Sequence, residues 1–473
     1  MYRSTLRALR ILATTTALLV IGGCTSFSTD HGFDAVRTAV KDRIGNDPQW
    51  PRSERQREEA LLVVRKLLAA PLTADAAVQI ALLNNRGLQA TYADLGIAEA
   101  DLVQAGRLRN PGFSYARLRR ADELEIERTF ILDVLGLLTL PIRTDLERRR
   151  FEITRTRVTA EVLQVATETR RAYYRAVAAQ ESAKYGEQVK DAAEASAELA
   201  RRMAAVGNFS ALDYARDQVF YAEATTQLAR VRQTRLAERE RLTHLMGLSG
   251  GDVRFTLPDR LPELPKAPRD DAAFEATALT KRLDLASAMQ EAESVAAALG
   301  LTRVTGFLSV LELGYARNSE TNRPRQTGYE IEFRLPIFDW GGARIARAEF
   351  TYMQAVNRAA DLAVRARSEV RTAYGAYRTA FDIARHYRDE IVPLRKRIAD
   401  ENVLRYNGML ISVFELLADA RQQIAAVNAY IEALRDFWIA DVNLELATTG
   451  RSPGLMQMEA TGISTGSAGT AAH

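Results

Sequence analysis

The residue types that most often carry chemistry are few and scattered in this sequence of 473 residues. The four histidines, His31, His244, His386 and His473, lie far apart, and Cys24 is the only cysteine. No Cys-x-x-Cys or His-x-x-x-His spacing offers a metal site, and no glycine loop of the phosphate-binding type is present. We therefore expect no enzyme activity, no metal site and no cofactor.

The charges are nearly balanced, with 64 basic and 60 acidic residues giving a formal net charge of +4. Basic and acidic residues interleave, as in RVRQTRLAERERL, a pattern typical of a solvated helix face. No nucleic-acid-binding module is recognisable, so no nucleic-acid partner is expected.

The N-terminus has the form of a bacterial secretory signal peptide, in which basic residues precede an apolar run from Ile11 to Ile21. Two glycines then precede Cys24, an arrangement that resembles the lipobox of bacterial lipoproteins. The resemblance implies removal of residues 1–23 and a covalent lipid on Cys24, and Thr25 favours the outer membrane. An ordinary cleaved signal with a spare thiol is the alternative.

A proline-rich linker, TLPDRLPELPKAPRD at 256–270, divides the rest of the chain into two halves. Similar segments recur on either side of it, for example AVGNFSALDYARDQ (205–218) and YNGMLISVFELLADARQQ (406–423). We predict two structural repeats, 71–255 and 271–449, after a lipidated segment 24–70 and before a disordered tail 450–473.

Two segments predict very long helices, because 143–206 and 343–392 contain no proline. About 60 residues of helix extend about 90 Å at 1.5 Å per residue. Apolar residues in the second segment follow the three-four spacing of a coiled coil.

Four other segments indicate strands. Apolar and polar residues alternate strictly in 327–335, whereas 128–138 is nearly continuously apolar, which leaves the register of that strand open. They are about as long as the 9–11 residues that cross a bilayer as a tilted strand, and they form two hairpins: 112–119 with 128–138, and 306–317 with 327–335. In the last segment, Tyr329, Ile331, Phe333 and Leu335 are predicted to face lipid, and Glu330, Glu332 and Arg334 a water-filled lumen.

Four strands cannot cross a membrane alone, because their open edges would leave backbone groups unpaired in hydrocarbon. Two chains would supply eight strands, with an interior filled by side chains, and three would supply twelve, with a channel. The long helices favour a duct and hence a trimer. A small soluble sheet that caps a helical bundle is the alternative.

With PLTADAAVQIALLNNRGLQA (71–90) and LPIFDWGGARIARAE (335–349), the sequence resembles TolC-type outer-membrane factors over roughly 71–449. The resemblance implies a mainly α chain with a small transmembrane β part, forming as a homotrimer a twelve-stranded barrel on a helical periplasmic tunnel. The implied function is the exit duct of a tripartite efflux pump or type I secretion system. Its partners would be a periplasmic adaptor, an inner-membrane transporter and outer-membrane lipid. A periplasmic coiled-coil scaffold lipoprotein without a pore is the alternative.

The same resemblance implies a gate at the periplasmic helix tips. Asp213 matches a gating aspartate, and Tyr406 lies one residue from a gating tyrosine. Glu415 matches the first member of an acidic ring; Ala418 stands at the position of the second, and the adjacent Asp419 could substitute for it. A gating arginine is not matched, since Leu410 or Ile411 stands in its place. Alternatively, Asp213 and Glu415 only cap the returning helices. Small residues at the turns are expected to contact the adaptor: Gly207, Ser210, Gly408 and Ser412.

Overall fold

The computed structural model describes residues 26–120, 122–269, 274–305, 310–333 and 337–450. The predicted signal peptide, Cys24 and the tail beyond Gly450 lie outside these residues. The chain is mainly helical and has one sheet of four strands, which confirms the predicted fold class. Among the described residues, no helix combines the length and apolar character needed to span a membrane.

The order of elements repeats along the chain: short helices, a β-hairpin, a long helix, a tight turn and another long helix. The first series contains α1 (Phe33–Ile44), α2 (Glu54–Leu68), α3 (Ala74–Asn84), α4 (Arg86–Ala105), β1 (Gly112–Arg120), β2 (Glu123–Asp133), α5 (Val134–Ala205) and α6 (Ala211–Leu245). The second contains α7 (Phe274–Lys281), α8 (Leu283–Thr305), β3 (Leu311–Glu320), β4 (Gln326–Phe333), α9 (Gly342–His386), α10 (Val392–Asn407) and α11 (Val413–Thr449).

The chain forms two compact units, and each unit takes residues from both halves of the sequence. The first unit comprises the chain up to Val36, Thr91–Val158 and Leu285–Leu362, and it contains the sheet. The second comprises Arg37–Ala90, Thr159–Asp284 and the chain from Ala363, and it is helical. The two sequence repeats stay a prediction about the sequence and do not correspond to these units.

The sheet is antiparallel with the strand order β1-β2-β3-β4, so that pairing of β2 with β3 joins the two hairpins. One row of paired residues crosses all four strands: Phe113, Phe130, Tyr315 and Tyr329. Since side chains alternate between the faces of a strand, this row fixes which residues share a face.

The predicted strand 128–138 is wrong at its C-terminal end, because helix α5 begins at Val134. The carboxylate of Asp133 accepts a hydrogen bond of 2.7 Å from the backbone N–H of Gly136 and so caps the first turn. The following leucines have good helix propensity and lack the β-branching that favours strands. At its other end, the strand begins five residues earlier than predicted, at Glu123.

The second long helix is also interrupted where the sequence predicts none. Helix α9 ends at His386, a π-helical turn covers Tyr387–Ile391, and Pro393 lies in the first turn of α10. Proline has no N–H to donate and its ring clashes with the carbonyl four residues before it. The wider π turn accommodates this proline without ending the helical path.

Aromatic side chains centre the core of the second unit. Phe437 contacts Tyr377, Phe381 and Trp438, with ring centroids 5.5, 5.8 and 5.1 Å apart. The proline-rich linker packs on this core, and Trp438 Nε1 donates to the Pro262 carbonyl at 3.0 Å. The linker is therefore irregular, as its prolines predict, yet tightly held.

The asparagine pair in the motif ALLNNRGLQA joins two helices of the second unit. Asn84 Nδ2 donates to the Gly247 carbonyl at 2.6 Å, and Asn85 Nδ2 donates to the Leu245 carbonyl at 2.8 Å. Gly247 has a φ of +67°, and a Cβ there would lie 2.6 Å from the Asn84 carbonyl oxygen. Only glycine permits this close approach.

Arg282 is the largest fully buried side chain of the second unit, at 2% exposure. Its guanidinium forms two hydrogen bonds with the Asp284 carboxylate, 2.9 and 2.5 Å long, and one of 2.8 Å with Glu369. Two carboxylates therefore depend on a single buried cation.

Replacing Arg282 with methionine should lower the free energy of unfolding by about 3–5 kcal/mol, because a buried cation that binds two carboxylates is removed. The measurement is chemical denaturation of the detergent-solubilised protein, followed by helical circular dichroism. The matched control is Arg371→Met, because Arg371 is exposed and lies 3.9 Å from Glu275. That change should cost no more than about 0.5 kcal/mol. Equal effects of the two variants would contradict the assignment.

Candidate functional site

One face of the sheet, called here the apolar face, carries no acidic residue among the described strand positions. The register assigns to it Phe113, Tyr115, Leu124, Ile126, Phe130, Leu132, Leu311, Leu313, Tyr315, Tyr329, Ile331 and Phe333. Most of these side chains are exposed, and Tyr329 is 82% exposed. Of the residues predicted to face lipid, Tyr329, Ile331 and Phe333 share this face, and Leu335 lies outside the described residues.

The opposite face, called here the acidic face, carries eight carboxylates: Glu123, Glu125, Glu127, Asp133, Glu312, Glu320, Glu330 and Glu332. Arg120 is the one basic residue on this face within the described strands. Asp133, Glu312 and Glu332 are partners across three neighbouring strands. Like charges directly opposite each other are destabilising, so this face requires water around it.

The turn between α5 and α6 forms the first helical tip and is closed by hydrogen bonds at both ends. Gly207, with a φ of +78°, donates to the Ala204 carbonyl at 3.1 Å, and Asn208 donates to the Met203 carbonyl at 3.0 Å. Ser210 then caps α6 by accepting a 3.0 Å hydrogen bond from the N–H of Asp213. This is a Schellman motif followed directly by a capped helix.

The second tip, between α10 and α11, has the same design, but its left-handed residue is Met409 with a φ of +59°. Met409 donates to the Tyr406 carbonyl at 2.9 Å, and Leu410 donates to the Arg405 carbonyl at 2.9 Å. Ser412 caps α11 through the N–H of Glu415 at 3.2 Å. The residue equivalent to Gly207 is therefore Met409. The sequence similarity alone suggests Gly408, which lies one residue earlier.

The predicted gating residues occupy different environments within the tips. The Asp213 carboxylate accepts a 2.6 Å hydrogen bond from the Ser210 hydroxyl and lies 3.5 Å from Arg216. The Asp419 carboxylate accepts a hydrogen bond from the Asn402 side chain within its own hairpin. Glu415 is exposed, and no described residue forms a hydrogen bond or ion pair with its carboxylate. The carboxylates of Asp213 and Asp419 are thus engaged within the described residues, whereas the Glu415 carboxylate is exposed to solvent.

The remaining predicted residues lie at the same two turns. Tyr406 is half-buried near the end of α10, and it contributes its carbonyl to the turn. The four residues predicted to contact an adaptor are all exposed, namely Gly207, Ser210, Gly408 and Ser412. Both serines already serve as helix caps. Their role in partner binding stays a prediction.

Sequence analysis missed Arg421, a residue on α11 that contacts α6 and so links the two helical hairpins. Its guanidinium lies 4.7 Å from the ring centroid of Phe220 on α6, and it reaches 3.9 Å from the Glu223 carboxylate. Arg421 lies on α11, ten residues after Ile411, where the family pattern has its gating arginine. The partners are about 200 residues apart in sequence, so no local pattern could reveal the contact.

Asp217 is a second residue that sequence analysis missed. It is 2% exposed on α6, and the Ser196 hydroxyl donates to both of its carboxylate oxygens at 3.3 Å. Burial raises the pKa of Asp217 above its usual value, and the charge of Asp213 adds to the rise. The hydrogen bond from Ser196 and the charge of Arg421 oppose that rise but do not cancel it. Asp217 corresponds to Asp419 in the echoed segment, which is a signal that could have identified it.

The raised pKa makes the first tip sensitive to pH. Because the folded-state pKa exceeds the unfolded value, the contribution to stability is complete below the unfolded pKa of about 3.9 and declines as pH rises through the folded value. Amide hydrogen exchange over residues 193–224, corrected for intrinsic rates, should therefore slow as pH falls from 7 toward 4.

Asp217→Asn should slow this exchange severalfold at pH 7 and remove its pH dependence, since the amide is never charged. Asp191→Asn is the matched control, because Asp191 is exposed on α5 and lies 3.6 Å from Lys190. The assignment is wrong if Asp217→Asn keeps the wild-type pH dependence.

No group of histidine, cysteine, aspartate and glutamate side chains among the described residues could hold a metal ion. The candidate functional features among the described residues are the two faces of the sheet and the two helical tips.

Known proteins resemble parts of this chain in sequence. Residues 139–248 match the family model described as outer membrane efflux protein. Over 280 residues the chain is 26% identical to the cobalt-zinc-cadmium resistance protein CzcC of Cupriavidus metallidurans, covering 57% of this chain and 64% of that relative. Both matches make part of this chain similar to outer membrane efflux proteins. The match spans less than two thirds of the relative's length.

Solved structures share the fold of this chain. A membrane protein from Pseudomonas aeruginosa superposes with a TM-score of 0.69 at 20% identity, covering 82% of this chain and 93% of that one. The CmeC outer membrane channel of Campylobacter jejuni superposes with a TM-score of 0.68 at 15% identity, covering 88% and 92%. The helical segments with one four-stranded sheet are thus the fold of these proteins.

Proposed function

We propose that three copies of this chain form an outer-membrane channel, the exit duct of a tripartite efflux pump or type I secretion system. The observation that carries the proposal is the register of the sheet, which separates an apolar face from a face with eight carboxylates. A sheet with one apolar and one polar face suits the wall of a membrane barrel with a water-filled interior.

The open edges of the sheet explain why more than one copy is needed. Among the described strands, β1 and β4 each have one unpaired edge. Unpaired backbone groups are too costly in hydrocarbon, so the strands of one chain must pair with those of the next. Twelve strands from three chains leave room for a channel, whereas eight strands would be filled by side chains.

The duct itself is passive and does no catalysis. Transport would be driven by an inner-membrane transporter and coupled through a periplasmic adaptor that meets the helical tips. Exposed apolar side chains at both turns support such a docking role: Val206, Leu212, Met409 and Leu410. Exposed apolar residues clustered at a tip are costly unless a partner covers them.

We also propose that Cys24 carries a covalent lipid that anchors the chain to the outer membrane. The residues that follow it are held by the unit that contains the sheet. The backbone N–H of Ser28 donates to the Glu99 carboxylate at 2.6 Å, and His31 Nδ1 lies 2.5 Å from the same carboxylate. This contact would keep a lipid near the membrane-spanning part.

Cations are the cargo class that the acidic face suits best. A lumen lined with carboxylates raises the local concentration of cations and repels anions. The similarity to CzcC, a cobalt-zinc-cadmium resistance protein, favours divalent metal ions among them. With no metal-binding cluster among the described residues, such ions would pass through and would not be stored.

The experiment that tests the duct is the protein mass of the detergent-extracted particle, from light scattering with the detergent contribution subtracted. Three chains per particle are expected, as is a steady conductance when the particle is inserted into a planar bilayer. A single chain that remains soluble without detergent would contradict the channel and favour a periplasmic scaffold.

The tip carboxylates give a second test, in which a cation blocks the channel from the periplasmic side. Three Glu415 carboxylates near the axis would each attract a unit charge 8 Å away by about 0.5 kcal/mol in water. After screening by salt, a divalent blocker should lose roughly tenfold in affinity in Glu415→Gln. Asp213→Asn is the matched comparison and should have a smaller effect, because Ser210 and Arg216 already engage that carboxylate. Unchanged blockade in Glu415→Gln would remove this residue from the gate.

A further inference from the structure

Four arginines interrupt the apolar face of the sheet, and all of them lie toward the hairpin ends of the strands. They are Arg117 and Arg119 on β1, Arg128 on β2 and Arg317 on β3. The other ends of the strands lead into helices α4, α5, α8 and α9. The cluster therefore lies at the hairpin end of the sheet, opposite the end at which the strands connect to the helices.

The register determines how close these side chains come. Arg128 and Arg317 are direct partners across β2 and β3, with Tyr115 beside Arg128 and Thr327 beside Arg317. Partner Cα atoms in an antiparallel pair lie about 4.5–5.5 Å apart. Arg117 and Arg119 follow on the same face, two residues or about 6.8 Å from each other.

Two like charges directly opposite each other destabilise a sheet, so the Arg128–Arg317 pair requires a compensating anion. The described part of the chain does not supply one. No described carboxylate lies within ion-pair distance of Arg117, Arg128 or Arg317, and the apolar face carries no acidic residue within the described strands. The carboxylates of these strands all belong to the other face.

The position of the cluster matches the edge of an apolar band. Three rows of apolar side chains lie between the arginines and the helical end of the sheet, beginning with the row Phe113, Phe130, Tyr315 and Tyr329. The first and last of these rows are four residues, or about 14 Å, apart along a strand, so they cover roughly half of the apolar band of about 25 Å on membrane barrels. The aromatic row followed by arginines is the sequence expected at a boundary between hydrocarbon and headgroups.

We propose that Arg117, Arg119, Arg128 and Arg317 form a binding site for phosphate-bearing lipid headgroups on the outward side of the barrel. This inference rests on the proposed membrane barrel. Guanidinium groups bind phosphate oxygens in a bidentate manner, and two facing arginines can share one phosphate. The adjoining aromatic and aliphatic rows then contact the acyl chains of the same lipid, so a lipid fits this surface better than a free anion.

The test counts lipids that remain on the purified full-length protein in native mass spectrometry. The probe is diphosphoryl lipid A, and phosphatidylcholine is the zwitterionic comparison. The wild-type particle should retain lipid A in preference to phosphatidylcholine, and Arg128→Gln/Arg317→Gln should reduce retained lipid A at least about fivefold. Arg120→Gln is the matched control, since Arg120 lies at the same end of β1 on the acidic face; it should retain lipid A as the wild type does.

Three outcomes would overturn the site. Equal retention by the double variant and the control would show that the cluster does not bind the lipid. Displacement of lipid A by millimolar inorganic phosphate would show that a free anion is the ligand. A loss of trimer with unchanged lipid on the remaining trimers would show that the arginines join subunits. Failure of the duct itself is distinguishable, because the wild-type particle would then be neither trimeric nor conducting.

Discussion

The pairing register of the four-stranded sheet is the constraint on which the other features depend. A shift of one residue in any pair would move its carboxylates onto the apolar face and its aromatic side chains onto the acidic face. As the strands pair, Phe130 and Tyr315 share one face while Glu127 and Glu312 share the other. The exposure of that apolar face distinguishes this sheet from a small sheet packed on a soluble core, which would bury its apolar side chains inside the chain.

The helical parts serve the sheet and the tips in different ways. In the second unit, an aromatic core and buried polar links such as Arg282 with Asp284 and Glu369 hold the helices in one arrangement. At the tips the packing is sparser, and the small core there centres on Ala193, Phe220 and Ala224. Helices that are well packed in the core and lightly packed at the tips are expected to move mainly at the tips.

The same turn design occurs at both tips although their sequences differ. Gly207 and Met409 occupy equivalent left-handed positions, each three residues before a capping serine. Glycine adopts this conformation freely, whereas a methionine is strained there. The capping bonds of Ser210 and Ser412 hold both turns in spite of this difference. The backbone N–H of Asp213 takes part in the helix cap, and its carboxylate accepts a hydrogen bond from the Ser210 hydroxyl. The cap therefore does not rule out a role for this carboxylate in the gate.

The sequence alone determined the elements that depend on local pattern. Alternation in 327–333 predicted β4 and its apolar face, and long stretches without proline predicted the helices, because these signals act over a few residues. It also determined the two turns, since serines with an acidic residue three positions later are capping signals.

Only the tertiary structure decided where competing local signals ended and which distant residues met. Asp133 caps a helix where the apolar sequence predicts a strand, and a π-helical turn precedes Pro393 and accommodates it. The contact of Arg421 with Phe220 and the pairing of Arg128 with Arg317 join residues about 200 positions apart. Such contacts depend on register and packing across the whole chain, and no window of local sequence contains them.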